Sequence, residues 1–289
     1  MKKIAAIVIT YNPNGELFEN IRTYANQVEL VIIVDNGSNF ETDIYFKELK
    51  KIFLNLIVIK NNSNFGISKA LNIGIKKAIE MKMDFIITFD QDSKAPINML
   101  KNIQDKYLEL SKFRRVGIIG PTAIEEKYKD CTQHIIEDIS NVSFLITSGS
   151  FVEINVFEDI GFFNEEFFIY HVDSDFCFRV LEQNYEIIKL NNVYLYHNDG
   201  NKIKIRIFGK SLYVNNYSNV RHYYSVRNLL YLTRFYYRKF PKQILKFFIG
   251  EILDTFKILL FESEKLTKIF LKIRGIQAYL KNEKGIMKS

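Results

Sequence analysis

Carboxylates that close apolar runs are the residues of this chain best placed to do chemistry. Asp90-Gln91-Asp92 terminates DFIITFD (84–90). Two carboxylates at this spacing can hold a hard divalent cation, Mg²⁺ or Mn²⁺, beside a phosphate, although such a pair can also simply cap a turn. Asp35 closes LVIIVD (30–35). A fixed carboxylate there suits the N3–H of a uracil or thymine ring, with Thr10 and Asn12 near to satisfy other edges; an Asx turn over Asp35-Asn36-Gly37 is the alternative. Asp173 and Asp175 stand before or within the first turn of a helical pattern, where the helix dipole favours the ionised form. One of them could take a proton from a hydroxyl as general base, and a capping role for Asp173 is compatible with that. His197 ends an apolar run before Asn198-Asp199-Gly200, a position suited to a metal or phosphate contact or to a structural role.

These residues need elements to position them. IAAIVIT (4–10), LVIIVD (30–35), LNLIVIK (54–60), DFIITFD (84–90) and VGIIG (116–120) read as short strands buried on both faces. Helical patterns near 16–27, 42–52, 67–82 and 97–112 separate them. The alternation predicts an α/β fold with a doubly wound, mostly parallel sheet, whose ligands bind beyond the carboxyl ends of the strands. Four polar exits then share one edge: Thr10-Tyr11-Asn12-Pro13, Asp35-Asn36-Gly37-Ser38, Asn61 to Gly66, and Asp90-Gln91-Asp92. Further on, 147–157 reads as strand then short helix, and 185–190 and 192–197 as two strands. From about 218 the chain reads helical; 221–240 is dense in Tyr, Phe and Arg, and 242–273 is amphipathic with many Lys.

Composition supports a folded chain: of 289 residues 47% are apolar and 25% charged, and only 4 are Pro, so long linkers are excluded. Cys131 and Cys177 match no zinc spacing and no disulfide framework, which points to a reducing cytoplasm. The net charge of +7 conceals a division: residues 201–289 hold 19 basic against 5 acidic residues, and the first 200 hold 21 against 28. An acidic body with a basic tail implies small-molecule chemistry in the one and attachment to an anionic surface by the other. The alternative for the tail is a solvated basic helical face. We expect residues 1–217 to form the catalytic domain and 218–289 a basic amphipathic helical region. The opening Met1-Lys2-Lys3 with its seven-residue apolar run lacks a cleavage site and reads as a first strand. ILKFFIGEILDTFKILLF (244–261) is interrupted by Lys246, Glu251, Asp254 and Lys257, so it should lie on a bilayer rather than span one.

The motifs VITYNP (8–13), VDNGS (34–38), NFGISKALNIGI (64–75), FDQDS (89–93), GFFNEEFFIYHVDSDFCFR (161–179), YHNDG (196–200) and RHYYSVRNLLYL (221–232) together resemble the family 2 glycosyltransferases of GT-A fold, in particular their bacterial rhamnosyltransferase-like branch. The resemblance covers most of 4–232, and RGIQAYLKNEKG (274–285) shares it. It implies an inverting, metal-dependent transfer from a nucleotide-diphosphate sugar, with dTDP-L-rhamnose as the leading donor and UDP-hexoses or UDP-galactofuranose as alternatives. It also implies that Thr10, Tyr11, Asn12 and Asp35 hold the nucleotide, with Asn64, Gly66 and Lys69 lining that site. Asp90 would approach the ribose, and Asp92 would ligate Mg²⁺ or Mn²⁺. Asp173 matches the usual base; Asp175 takes the place of a second acid that is often Glu. Phe176 replaces a more common Trp and His171 a frequent Tyr. Arg227 or His197 would neutralise the leaving diphosphate.

The basic tail then fits a lipid-linked saccharide acceptor and peripheral attachment to the inner face of a cell membrane, in assembly of a surface polysaccharide. The aromatic residues of 221–240 suit helix packing, closure of the acceptor side or a homodimer contact better than stacking on nucleic acid, so no nucleic-acid partner is expected. A sugar-1-phosphate nucleotidyltransferase would need a Gly-rich basic loop after the first strand, where this chain has YNPNGELFEN. A non-catalytic binding module would leave Asp35, Asp90, Asp92 and Asp173 without purpose.

Overall fold

A computed structural model describes residues 2–126, 136–197, 203–207, 210–214 and 217–288. Cys131 and the Asn198-Asp199-Gly200 part of one motif lie outside the described residues. The five apolar runs form strands β1 (Ile4–Thr10), β2 (Leu30–Asp35), β3 (Leu56–Lys60), β4 (Phe85–Asp90) and β5 (Val116–Ile124). Helices α1 (Leu17–Tyr24), α2 (Thr42–Ile52), α3 (Ile67–Glu80) and α4 (Met99–Leu110) alternate with them, close to the expected limits. After β6 (Ile139–Asn141), the short strand β7 (Phe151–Glu153) runs directly into α5 (Ile154–Ile160), and α6 (Val172–Glu182) leads to β8 (Glu186–Tyr196).

Among the described residues these strands make one eight-stranded sheet in the order β3-β2-β1-β4-β7-β5-β8-β6. β3, β2, β1 and β4 are mutually parallel, as are β5 and β8, whereas β7 and β6 run against their neighbours. β1 and β2 are buried on both faces, which their unbroken aliphatic runs anticipate. One face packs Leu17, Ile21, Phe46, Leu49, Met99 and Ile103 from α1, α2 and α4. The other packs Ala70, Leu71 and Ile75 of α3 with Phe157, Phe176 and Phe178 of α5 and α6.

The strands expected at 185–190 and 192–197 are one continuous strand. Pairing with β5 jumps from Pro121 opposite Leu190 to Thr122 opposite Tyr194, so a bulge takes up the residues between. Asn191 is buried there, its amide donating to the Glu137 carbonyl at 2.8 Å and the Ser140 hydroxyl at 2.8 Å. The polar break between the two expected strands is therefore a satisfied bulge inside the sheet.

A two-stranded hairpin, β9 (Ile203–Ile207) and β10 (Lys210–Val214), precedes three helices: α7 (Asn219–Tyr236), α8 (Pro241–Phe261) and α9 (Lys265–Leu280). The stretch 242–273 is thus broken at residues 262–264, where Glu264 takes a left-handed backbone (φ 53°). α7 lies between sheet and tail: Tyr231, Leu232 and Tyr236 join the sheet-side core, while Tyr223 and Tyr224 pack with Leu271 and Ala278 of α9. Gly275 permits this approach, since a Cβ there would stand 2.5 Å from the Tyr223 carbonyl oxygen. Gly275→Ala should therefore push α9 from α7 and lower stability by roughly 1–3 kcal/mol; an unchanged urea midpoint would contradict this packing.

Candidate active site

Strand register brings the polar exits together before any side chain is considered. Thr10 pairs with Asp35, Asp35 with Lys60, and Ile9 with Asp90, so the ends of β1, β2, β3 and β4 are level. Asp35 is buried and its carboxylate is saturated locally. Oδ1 accepts from the Thr10 hydroxyl at 3.0 Å and, closely, from the Ser38 hydroxyl, while Oδ2 accepts the Ser38 N–H at 3.1 Å. Asn12, with φ 45°, donates its own N–H to Ser38 Oγ at 2.7 Å and accepts the Asn39 N–H at 3.1 Å. The carboxylate thus closes on Ser38, one residue beyond the Asx turn expected as its alternative, and draws the first two exits into one hydrogen-bonded unit. Tyr11 is exposed above it, its N–H donating to Gln91 Oε1 at 2.9 Å.

Asn36 is the residue that sequence reasoning passed over. Buried beside Asp35, it donates to Asn64 Oδ1 at 2.9 Å and to the Gly66 carbonyl at 3.2 Å, and accepts from Asn61 Nδ2 at 3.1 Å and the Phe65 N–H at 3.0 Å. All its amide groups therefore clamp the loop that holds Asn64 and Gly66. Gly37 (φ 84°) and Gly66 (φ 86°) are fixed by space as well as by angle: a Cβ would lie 2.5 Å from the Ser63 carbonyl carbon or 2.6 Å from the Phe168 oxygen. Lys69, in the first turn of α3, places its ammonium 4.4 Å from the Phe65 ring centre. The detectable signal was the amide-rich pairing of DNGS with NNSNFG, which buried amides alone would satisfy.

Asp90, Asp92 and His197 each present one ligand atom within 4.8 Å of the others. A β-bridge between Lys94 and Tyr196, with N–H···O distances of 2.9 and 3.0 Å, brings the end of β8 beside the Asp-x-Asp turn. The His197 N–H donates to the Ile124 carbonyl at 2.9 Å, which fixes its backbone. His197 Nδ1 lies 3.4 Å from Asp92 Oδ1, an oxygen that is buried yet makes no hydrogen bond to the described residues. Burial raises the Asp90 pKa and Asp92 adds to that, while the charges of His197 and Arg221 oppose it. Two carboxylate oxygens, one of them buried and unsatisfied, and an imidazole nitrogen form a donor set that fits a divalent ion such as Mn²⁺; an all-oxygen set would suit Mg²⁺ better.

Asp173 lies in the first turn of α6, its Oδ1 accepting the Ser174 N–H at 2.8 Å. Burial pushes its pKa up to about 6; the Asp90 charge adds to the rise and the Ser174 N–H moderates it. A carboxyl of this kind can hold a proton or release it near neutrality. The side chain borders a small cavity with Thr88, Thr147 and Cys177 beneath the centre of the sheet. Two successive residues before the helix, Tyr170 (φ 68°) and His171 (φ 57°), adopt left-handed backbone. That conformation costs roughly 1–3 kcal/mol per non-glycine residue and persists where its surroundings impose it. Asn228 of α7 supplies the constraint, donating to the Ile169 carbonyl at 2.8 Å and the Tyr170 carbonyl at 3.0 Å.

Arg227 and Asp175 are not brought to the site. Arg227 is fully buried: Nε donates to Asn228 Oδ1 at 3.0 Å, Nη1 to the Gly285 carbonyl at 2.7 Å and Nη2 to the Glu166 carbonyl at 3.3 Å. It orients Asn228 and ties the C-terminal tail to the segment leading to Asp173, and each of its three nitrogens is engaged inside the protein, away from any leaving diphosphate. Asp175 is buried on the opposite side of the same turn, accepting from Arg179 Nε at 3.0 Å and the Tyr236 hydroxyl at 2.9 Å. It joins α6 to α7. A cation whose field does reach Asp90, beside that of His197, is Arg221, at the exposed start of α7.

The raised Asp173 pKa sets a direction for stability. The folded protein keeps this proton from about pH 4 to about pH 6, where the unfolded chain has lost it, so folding stability falls as pH rises through that window. Asp173→Asn should escape the loss and be more stable than the parent at pH 8 by about 2–3 kcal/mol, with the difference vanishing near pH 4. Urea denaturation at both values checks this; a difference independent of pH would count against the raised pKa.

Comparison with known proteins follows the same lines. Residues 5–129 match the model of glycosyl transferase family 2. Over 247 residues the chain is 31% identical to the dTDP-rhamnosyl transferase RfbF of Shigella flexneri, covering 80% of each protein. Among solved structures, GalNAc-T7, determined with UDP, GalNAc and Mn²⁺, superposes with a TM-score of 0.62 at 11% identity over 83% of this chain and 49% of that one. TarS 1–349 of S. aureus in complex with UDP-GlcNAc gives 0.54 at 18% identity over 98% and 74%. At such identities the two structures establish the GT-A fold alone. With the sequence match spanning four-fifths of a rhamnosyltransferase, the chain belongs to glycosyltransferase family 2, in its bacterial rhamnosyltransferase-like branch, and is a glycosyltransferase.

Proposed function

We propose that this enzyme transfers L-rhamnose from dTDP-L-rhamnose, with inversion and with a divalent cation, to a lipid-linked glycan acceptor in cell-surface polysaccharide synthesis. The observation that carries this reading is the convergence of the Asp35 exit, the Asp90-Asp92-His197 cluster and the half-buried Asp173 carboxyl, whose protonation responds to Asp90. In this reading Thr10, Tyr11, Asn12 and Asp35 seat the pyrimidine end of the donor. Asn64, Gly66 and Lys69 line the same compartment, and Asp90 approaches the ribose. Asp92 and His197 would hold Mn²⁺ or Mg²⁺, which when bound offsets charge on the leaving diphosphate.

The reaction is a single in-line displacement. The acceptor hydroxyl oxygen forms the new bond to the anomeric carbon as the bond from that carbon to the phosphate oxygen breaks. The hydroxyl proton passes to Asp173, and the nucleoside diphosphate leaves with the electron pair. Asp173 must be ionised to accept it, so transfer should rise with pH through about 6 in the free enzyme. Burial supports this role: a carboxylate with little solvation is more basic than an exposed one. Residues 1–217 constitute the donor-binding and catalytic unit in this reading and 218–289 the helical region that faces the acceptor's membrane. No helix of the described residues is long and apolar enough to cross a membrane; in this reading the region attaches peripherally, at the inner face.

A UDP-sugar donor is the second reading. It is favoured by the UDP and UDP-GlcNAc in the structures of the fold relatives, and by 23% identity over 221 residues to the hexosyltransferase Agl10 of Haloferax volcanii. Incubation with Mn²⁺ and a panel of dTDP- and UDP-sugars should release nucleoside diphosphate from dTDP-rhamnose, and Asp173→Asn should bind that donor yet fail to transfer. Release from UDP-sugars alone would transfer the assignment to the second reading, and full transfer by Asp173→Asn would remove the base. Asp92→Ala should weaken nucleotide binding only when Mn²⁺ is present; equal affinity in titration calorimetry with and without the ion would refute its ligand role.

A further inference from the structure

Helices α8 and α9 turn apolar side chains outward and charges inward. α9 buries Lys268 at 2% and Lys272 at 5% exposure, while Leu266, Phe270, Ile273 and Leu280 of the same helix are exposed, Leu266 by 87%. α8 follows suit: Leu245, Ile249, Ile252, Leu253, Phe256 and Leu260 face outward. The interior between them is ionic. Lys268 Nζ lies 2.6 Å from Glu262, and Lys272 Nζ lies 2.5 Å from Glu251 and 3.0 Å from Asp254. Burying these charges is unfavourable unless each is paired, and exposing the aliphatic side chains instead sacrifices their transfer energy. In water alone the arrangement is doubly costly. It becomes favourable against an apolar medium.

The exposed charges identify that medium. The acidic groups of α8 are spent on the internal lysines, and Glu262 is buried with them; Glu264, between the helices, accepts from Asn219 Nδ2 at 2.6 Å. Lys242, Lys246, Lys265 and Lys281 remain on the outside, and Arg234, Phe235, Tyr237 and Arg238 crowd the approach to α8. Apolar faces bordered by lysine, arginine and aromatic side chains match a lipid interface with anionic headgroups. A second copy fits less well, because a two-fold contact sets the same patch against itself and would bring lysine rows together.

We infer that the outer faces of α8 and α9 form a single docking surface that inserts shallowly into an anionic bilayer, with Lys268 and Lys272 as internal counter-ions that turn the acidic side chains away from it. This deepens the membrane-surface reading above, giving it a face and an orientation. It also explains why α9 must pack through lysines: the carboxylates of α8 would otherwise face the headgroups.

Full-length protein should co-sediment with phosphatidylcholine vesicles containing phosphatidylglycerol, bind pure phosphatidylcholine poorly, and release as salt is raised. The triple variant Ile249→Gln, Leu253→Gln, Phe256→Gln changes only exposed side chains. It should keep its circular dichroism and donor cleavage while losing vesicle affinity on the order of a hundredfold. Lys242→Glu with Lys246→Glu should remove the preference for phosphatidylglycerol. Equal partitioning of the triple variant and its parent would overturn the inference. So would a parent dimer in vesicle-free solution that the triple variant converts to monomer, since the face would then be covered by a second copy. Vesicle binding by a protein inert toward every nucleotide sugar would instead refute the transferase reading and leave the docking surface standing.

Discussion

Parallel strands buried on both faces leave their backbone and side chains nothing polar to offer inside the sheet, so the polar groups of this protein collect where the strands stop. There they must satisfy one another. Asp35 and Asn36 are the adjacent residues on which that requirement falls most heavily: the carboxylate takes Thr10 and Ser38, and the amide takes Asn61, Asn64, Phe65 and Gly66. Three exits of the sheet edge become one rigid surface through two buried side chains. Removing either would leave several buried polar groups unpaired at once, a larger cost than any single hydrogen bond contributes.

The other half of the site is held from behind. Asp173 is presented by a backbone that two left-handed residues distort, and the distortion survives because Asn228 satisfies the two carbonyls it exposes. Arg227 fixes that amide and reaches the tail at Gly285, whose own N–H returns to the Glu166 carbonyl at 2.9 Å. The helical region therefore helps to position Asp173, as well as being the part of the chain that faces away from it. This coupling gives the tail a reason to pack tightly at Gly275 and along the Tyr223–Tyr224 face.

Electrostatics separates the two halves. At the strand exits, carboxylates are gathered where a cation can balance them, and the unsatisfied Asp92 oxygen is the clearest mark of that arrangement. Asp173 shares their field but stands in poorly solvated surroundings beside Cys177, whose thiol burial pushes up to about 12 and so keeps neutral. A buried carboxyl next to other carboxylates is raised by both effects, which is what a proton acceptor working near neutrality requires.

Much of this was legible in the chain itself. Unbroken Ile-Val runs cut by polar residues marked the strands and their exits, because burial on both faces leaves no other composition open to a parallel sheet; the helices of the first 120 residues follow to within a few positions. The position of Asp-x-Asp at a strand end, and of Asp173 in a first helical turn, followed from the same periodicity. What local pattern could not decide was which polar residues meet. The runs 185–190 and 192–197 looked like two strands and are one strand with a bulge, since only pairing with Pro121 and Thr122 defines the register there. Arg227 looked like a cation for a diphosphate and is an internal strut, because burial depends on how α7 lies against α9 and Glu166. The amphipathic pattern of the tail announced two faces without saying which is inside. Periodicity sorts side chains by angle around a helix, and only the packing of three helices determines that here the lysines of α9 turn inward and its leucines outward.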